Sequence, residues 1–365
     1  TINSPTKINM MNTSQKLIAL LSGAALLSVS SLAAQTATTA PVGYVTETIK
    51  SAAFNVLGLN LSNEIIVSGA FESSSASTAT DSEANFSTAL PSGSDYVLRV
   101  TSGAGNIGLN TTVSASAPTV LTTDDDLSSV ISAGTTYEVR RVQTISNLFG
   151  PTNSAELEGG IAGDSSAADI VWIPDGLGGY TRIYYNATAR PFPSLTVGWK
   201  TTDNADAADF PVYFTSGILI QVQRSAFGVS EAGVDPGDLT SKDITLTGSV
   251  ITEDTQAIVE TGFNFVSRVL PADVTLVDSQ LELDIVGGLA GNTSSADIIW
   301  LPDGLGGYTR VYYNSTARPF PSLTVGWKTT DNADASAEVL TSGFIVERKG
   351  APTMITMRIP SSISL

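Results

Sequence analysis

The sequence predicts an all-β chain with two homologous β-sandwich or barrel-like modules in tandem and a further β region toward its N-terminal end. Three observations lead there. Residues 159–206 recur as residues 287–334 at a constant offset of 128, with eight of 48 positions different, and self-similarity at a fixed spacing marks one structural unit used twice. Around both copies, short runs rich in Val, Ile, Thr, Tyr and Phe are separated by Gly, Pro, Asn, Asp and Ser, the punctuation of strands and turns. Helical periodicity is scarce, residues 49–61 being its best stretch.

The first element is a leader. Lys16 precedes the apolar run LIALLSGAALL, and small residues follow it as far as Ala33 and Ala34. A cation, a short apolar stretch and a small-residue cleavage site give residues 1–34 the form of upstream residues plus a secretory signal peptide. The run is too short to span a hydrocarbon core of about 30 Å as a permanent helix. Lys7 and Lys16 leave with it, so 16 basic residues face 35 acidic ones, a net charge of −19. No later segment has the length and apolarity of a transmembrane helix.

Residues 41–117 form the expected N-terminal β region, with Tyr96–Val100 as a strand and the Ser/Thr/Ala-rich residues 73–88 as a mobile loop. Residues 118–245 form the first module, closed by a linker at 229–241, and residues 246–365 form the second. Inside the repeated block, ADIVWI (168–173) reads as a strand stopped by Pro174, since proline cannot extend a central strand. Residues 175–179 (DGLGG) are turn chemistry, and YTRIYYN (180–186) completes a hairpin. Its alternation puts Tyr180, Arg182 and Tyr184 on one face and Thr181, Ile183 and Tyr185 on the other. Strands follow at 195–199 and 217–223, the latter matched by 343–348; residues 136–142, 244–250 and 353–359 read the same way. Outside the block the offset of 128 links Asp126 to Asp254, Gly134 to Gly262, Tyr137 to Phe265 and Arg140 to Arg268, which extends the unit to about a domain.

Composition excludes much chemistry. The chain of 365 residues has no Cys and no His, which removes disulfides, thiolate metal sites and imidazole catalysis. Its net charge of −17 argues against nucleic acid, whose phosphates need a basic face. Glycine and aliphatic residues are ample for a packed core. An exported chain without disulfides fits a bacterial cell-surface, extracellular or periplasmic protein.

Three constellations remain. A Tyr/Trp face of Tyr184, Tyr185, Phe192 and Trp199, repeated as Tyr312, Tyr313, Phe320 and Trp327, has the residue types that stack on sugar rings, with Arg182 or Asp175 placed for hydroxyls; the same rings also suit a sheet core. Asp203 and Asp206, repeated as Asp331 and Asp334, offer oxygen ligands of the kind Ca²⁺ takes, although the spacing is not an EF-hand loop; no other cofactor is expected. Asp169, Asp175 and Asp203 are nominal carboxylates for glycoside hydrolysis, without a spacing that defines a pair.

The chain resembles a group of exported, β-rich proteins from Verrucomicrobia-like bacteria. The likeness rests on Gly43-Tyr44-Val45, on YVLRVTSG (96–103), on LTGSV (246–250), on the Ala-Asp-x-x-Trp strands, on the Tyr-Tyr strands followed by Gly-Trp, and on GFIVER (343–348). The Ala-Arg-Pro-Phe-Pro-Ser segment lies outside it. The resemblance implies an exported β-protein and assigns no activity. The sequence as a whole reads as a non-catalytic cell-surface, envelope or matrix protein of structural or adhesive role, whose partners are itself, other surface proteins or polysaccharide. A carbohydrate-binding module is the alternative, and a carboxylate glycoside hydrolase a second one.

Overall fold

The computed structural model describes residues 41–103, 106–175, 179–224, 241–270 and 272–361; the leader and most of the expected linker lie outside these. The fold is all-β, with two modules of one topology. In the first module a six-stranded sheet runs in the order Gly160–Ile161, Tyr180–Thr188, Ile170–Pro174, Ile218–Gln221, Phe54–Leu57, with Gly198–Thr201 also paired to Tyr180–Thr188. The second module repeats it as Gly288–Leu289, Tyr308–Thr316, Ile298–Pro302, Gly343–Arg348, Gly262–Ser267, with Gly326–Thr329 on Tyr308–Thr316. A two-stranded ribbon covers one face of each sheet: Val42–Lys50 with Ser241–Ser249, and Thr255–Val259 with Thr353–Met357.

Each core lies between sheet and ribbon. In the first module Val171, Ile173, Ile183, Trp199, Ile218 and Ile220 meet Ile49, Ile244 and Leu246 from the ribbon. In the second, Ile299, Leu301, Val311, Trp327, Phe344 and Val346 meet Ala257, Val259, Ile355 and Met357. Burying a side chain of this size contributes about 1.5–3 kcal/mol, and in a chain without cysteine these clusters hold the modules with no disulfide.

The chain divides differently from the sequence expectation. Ser241–Ser249, which begins at the last residue of the expected linker, returns to pair with Val42–Lys50, so the first module runs on to Ser249. The connection between modules is the five residues 250–254. Val120–Thr123 and Thr136–Arg141, expected in the first module, instead complete a seven-stranded antiparallel sheet with strands from 65–116. That sheet is an insertion. Phe54–Leu57 and Gln143–Thr144 flank it, whereas their counterparts Gly262–Ser267 and Val274–Thr275 are separated by only six residues.

Two local expectations also change. Residues 49–61 hold no helix: they carry the end of the strand Val42–Lys50, a turn and the strand Phe54–Leu57, which place Ile49 and Leu57 in the first core. Residues 73–88 carry the strands Ser73–Ser75 and Thr78–Thr80 and the start of the short helix Phe86–Ala89, anchored by the buried Ala79 and Phe86.

The inserted sheet has two buried faces. Phe71, Phe86, Leu98 and Tyr137 form its own core, with Phe71 and Tyr137 stacked 4.0 Å apart, while Val97 on the other face joins the first module's core. Arg99 ties the insertion to the inter-module connection. Buried, it donates to Glu253 at 3.0 Å, to the carbonyl of Asp254 at 2.9 Å and to Glu138 at 3.3 Å.

Candidate functional site: the seam and the loops

The outer faces of the two six-stranded sheets pack on each other. One cross-strand row runs Arg182, Trp172, Leu219, Val56; its counterpart runs Arg310, Trp300, Ile345, Phe265. Leu219, Val56 and Ile345 share one buried cluster, with both tryptophans, Phe265 and Tyr308 around it. Hydrogen bonds cross the seam in both directions. The Tyr180 hydroxyl donates to the Phe263 carbonyl at 2.9 Å, and the Tyr308 hydroxyl donates to the Phe54 carbonyl at 2.8 Å. The pairing of strands with the sheets makes Phe54 and Phe263 counterparts, as Tyr180 and Tyr308 are. Each module therefore uses one patch to grip the same patch on the other, the isologous arrangement of a twofold dimer, here within one chain.

Close approach at the seam selects small residues. A Cβ on Gly58 would collide with the Ser342 carbonyl, and one on Gly343 would press on the backbone of Leu57 and Gly58. Nearby, burial pushes the Glu47 carboxyl up, opposed by a hydrogen bond from Ser342 and the charge of Arg268.

Trp172 and Trp300 are half-buried at the seam's margin. Their indole N–H groups donate to Gln221 at 3.2 Å and Glu347 at 3.1 Å, and Arg182 and Arg310 lie over the rings at 5.4 and 4.7 Å. A guanidinium over each indole occupies the face a sugar ring would use.

The Tyr/Trp face expected from sequence is not assembled as a surface. Tyr184 and Tyr312 are buried and donate to Asn204 and Asn332. Trp199 and Trp327 are core residues. Tyr185 and Tyr313 lie edge-on to them at 5.3 and 5.7 Å, half-buried against the same cores. Period-2 strands covered on both sides leave no free aromatic face. Phe192 and Phe320 alone are prominent, each 90 % exposed.

The acidic turns are fastened from within. Asp206 and Asp334 accept from the buried ammonium groups of Lys200 and Lys328, while Asp203 and Asp331 face solvent. Among the described residues no three acidic side chains converge as a metal cluster would. Asn204 and Asn332 sit in these turns with φ of 69°, the left-handed region asparagine tolerates. Asp169 is buried and accepts from the backbone N–H groups of Glu158 and Gln223 at 2.8 and 3.1 Å; burial raises its carboxyl above the usual range, opposed by those bonds and by Arg224. It closes a structural junction, as Asp297 does for Val286 and Lys349. Asp175 accepts from the Gly179 N–H in its own turn.

Other fasteners carried no distinct chemical signal in the sequence. Asn186 is fully buried; it accepts from Gly163 and donates to Thr188 and Thr196, and Asn314 repeats this. Asn55 exchanges two bonds with the Lys50 backbone, and Asn264 does so with Glu260. The shared Phe-Asn of FNVL and FNFV was the available clue.

The loops at 190–195 and 318–323 are closed by paired bonds between Arg190 and Leu195 and between Arg318 and Leu323. Arg190 Nε and Arg318 Nε each brace the loop through the second proline's carbonyl at 3.2 Å. Each loop follows the far end of a nine-residue strand whose first residue, Tyr180 or Tyr308, lies in the seam. At about 3.3 Å per residue, the phenylalanine is carried well away from the other module.

The arrangement defines an all-β protein built as a fused pair of modules. Comparison with known proteins returned no matching family model, no matching curated protein and no matching solved structure.

Proposed function

We propose that this chain is an exported, non-catalytic protein of the bacterial surface, envelope or extracellular matrix, acting by structure and adhesion. The observation that carries this is the seam. It takes up Tyr180, Tyr308 and part of Trp172 and Trp300, and it holds two copies of the Pro-Phe-Pro loop in a fixed relation. Two identical contact loops on one rigid body favour bivalent attachment, which raises avidity without a new contact. Of the carboxylates considered for hydrolysis, Asp169 and Asp175 are engaged in a junction and a turn and Asp203 faces solvent, which supports a role without catalysis. The signal-peptide form of residues 1–34 supports export.

Co-sedimentation with purified bacterial cell envelopes tests the proposal. The expected result is saturable binding of the native protein, weakened about tenfold or more in F192S/F320S, as loss of central aromatic contacts implies. Equal binding of the two forms, or none by the native protein, would overturn it.

A further inference from the structure

Where the inserted sheet meets both modules, the surface is cut by a groove. Its larger part encloses about 790 Å³ and the adjoining part about 480 Å³, with Tyr213, Thr215, Ser216 and Ile258 lining both. These volumes suit the burial of a compact group. The floor is apolar and open: Ile258 is 59 % exposed and Phe263 53 %, with Tyr180 beside them. Asp175 and Glu260 line the larger part, and neither part has a lysine or arginine in its lining. Ile258 also lies on a strand paired on one side only, by Thr353–Met357. The neighbouring Gln256 donates outward to Gly108 at 2.9 Å, and alternation along the strand turns the N–H and C=O of Ile258 the same way, toward the groove.

The same chain displays a complementary shape. Each Pro-Phe-Pro loop projects a ring that is left uncovered among the described residues, stiffened by two prolines and braced by an arginine. A phenylalanine flanked by a cation matches an aromatic-floored groove lined by carboxylates and free of competing cations. The match also answers an electrostatic difficulty: a molecule of net charge −17 repels its copies unless the contacting patch brings positive charge to negative.

We propose that the groove binds the Arg-Pro-Phe-Pro loop of a second copy of this chain. This rests on the structural reading above and names the partner. Loop and groove are different patches, so the contact is heterologous and does not close on itself. With two loops and this groove in every chain, the product is an extended assembly.

Sedimentation velocity on the purified protein, from micromolar to near-millimolar concentration, tests this with two variants. F192S/F320S removes the rings and keeps the groove; I258D places a charge on the groove floor and keeps the loops. Both changes fall on exposed side chains, and circular dichroism checks the fold. The native protein should associate with rising concentration, and each variant alone should weaken this about tenfold or more. An equimolar mixture of the variants should form complexes, since one supplies grooves and the other loops. A native protein that stays monomeric, a loop variant that associates like the native protein, or variants that do not complement one another would overturn the proposal. Envelope binding that persists in a strictly monomeric protein would end this inference alone, leaving the adhesive role standing.

Discussion

The hydroxyl of Tyr180 donates across the seam to the backbone carbonyl of Phe263 at 2.9 Å. Tyr308 returns the bond to Phe54, so removing either hydroxyl leaves a carbonyl without its partner. Y180F and Y308F should each cost about 1 kcal/mol, lowering the calorimetric midpoint by a few degrees. Similar losses from the two sites would reflect the twofold relation.

Alkaline pH probes the same contact. Burial, with the nearby Asp303 charge, pushes the Tyr308 hydroxyl up to about 12 from its ordinary value near 10. The folded state therefore holds this proton more tightly than the unfolded chain does. Its contribution is fully present below pH 10 and is lost as pH rises from 10 toward 12. Denaturation followed across that window should show a shallower decline in Y308F than in the native protein.

Arg99 anchors the inter-module connection through Glu253 and the Asp254 carbonyl. R99A should destabilise by about 3 kcal/mol, the scale for breaking a buried ionic contact; Glu138 retains Arg140 at 2.8 Å, which keeps the loss from rising further. Limited proteolysis should then cut at residues 250–254 faster than in the native protein.

The two core tryptophans differ in one bond. Trp199 Nε1 donates to the Gly150 carbonyl at 2.8 Å, whereas Trp327 Nε1 has no partner among the described residues. W199F should be the more destabilising change by about 1 kcal/mol, measured by urea denaturation.

The duplicated block was legible because its residues are nearly identical, and its strands fall close to where alternation and the proline stops place them. The module boundaries were not. The insertion of residues 62–141 separates Phe54–Leu57 from the rest of its module, so its true counterpart, Gly262–Ser267, does not share the offset of 128. The apparent match of Tyr137 with Phe265 joins two unlike environments: Tyr137 is in the inserted sheet's core and Phe265 is at the seam. Both lie in alternating strands, and alternation alone does not say which sheet a strand enters. The same limit hid the aromatic face. Periodicity assigned Tyr180, Arg182 and Tyr184 to one side of a strand but does not say what covers each: Tyr180 packs in the seam, Tyr184 is buried in its own module against Ala168 and Ile170, and Arg182 stays exposed. Phe192 and Phe320 carry no such cover, and their exposure follows from the proline-bracketed loop.

The seam is tested most directly by a covalent link across it, which a cysteine-free chain makes unambiguous. A Cβ on Gly306 would lie 3.3 Å from that of Ala53 in the other module, near the separation a disulfide spans; Gly306 has a φ of 94°, so a cysteine there costs some backbone strain and circular dichroism checks that the variant is folded. In A53C/G306C, mild oxidation should yield one linked peptide joining positions 53 and 306 in monomeric protein. Two thiols that stay free in the folded protein, or that link only between molecules, would contradict the twofold packing of the modules.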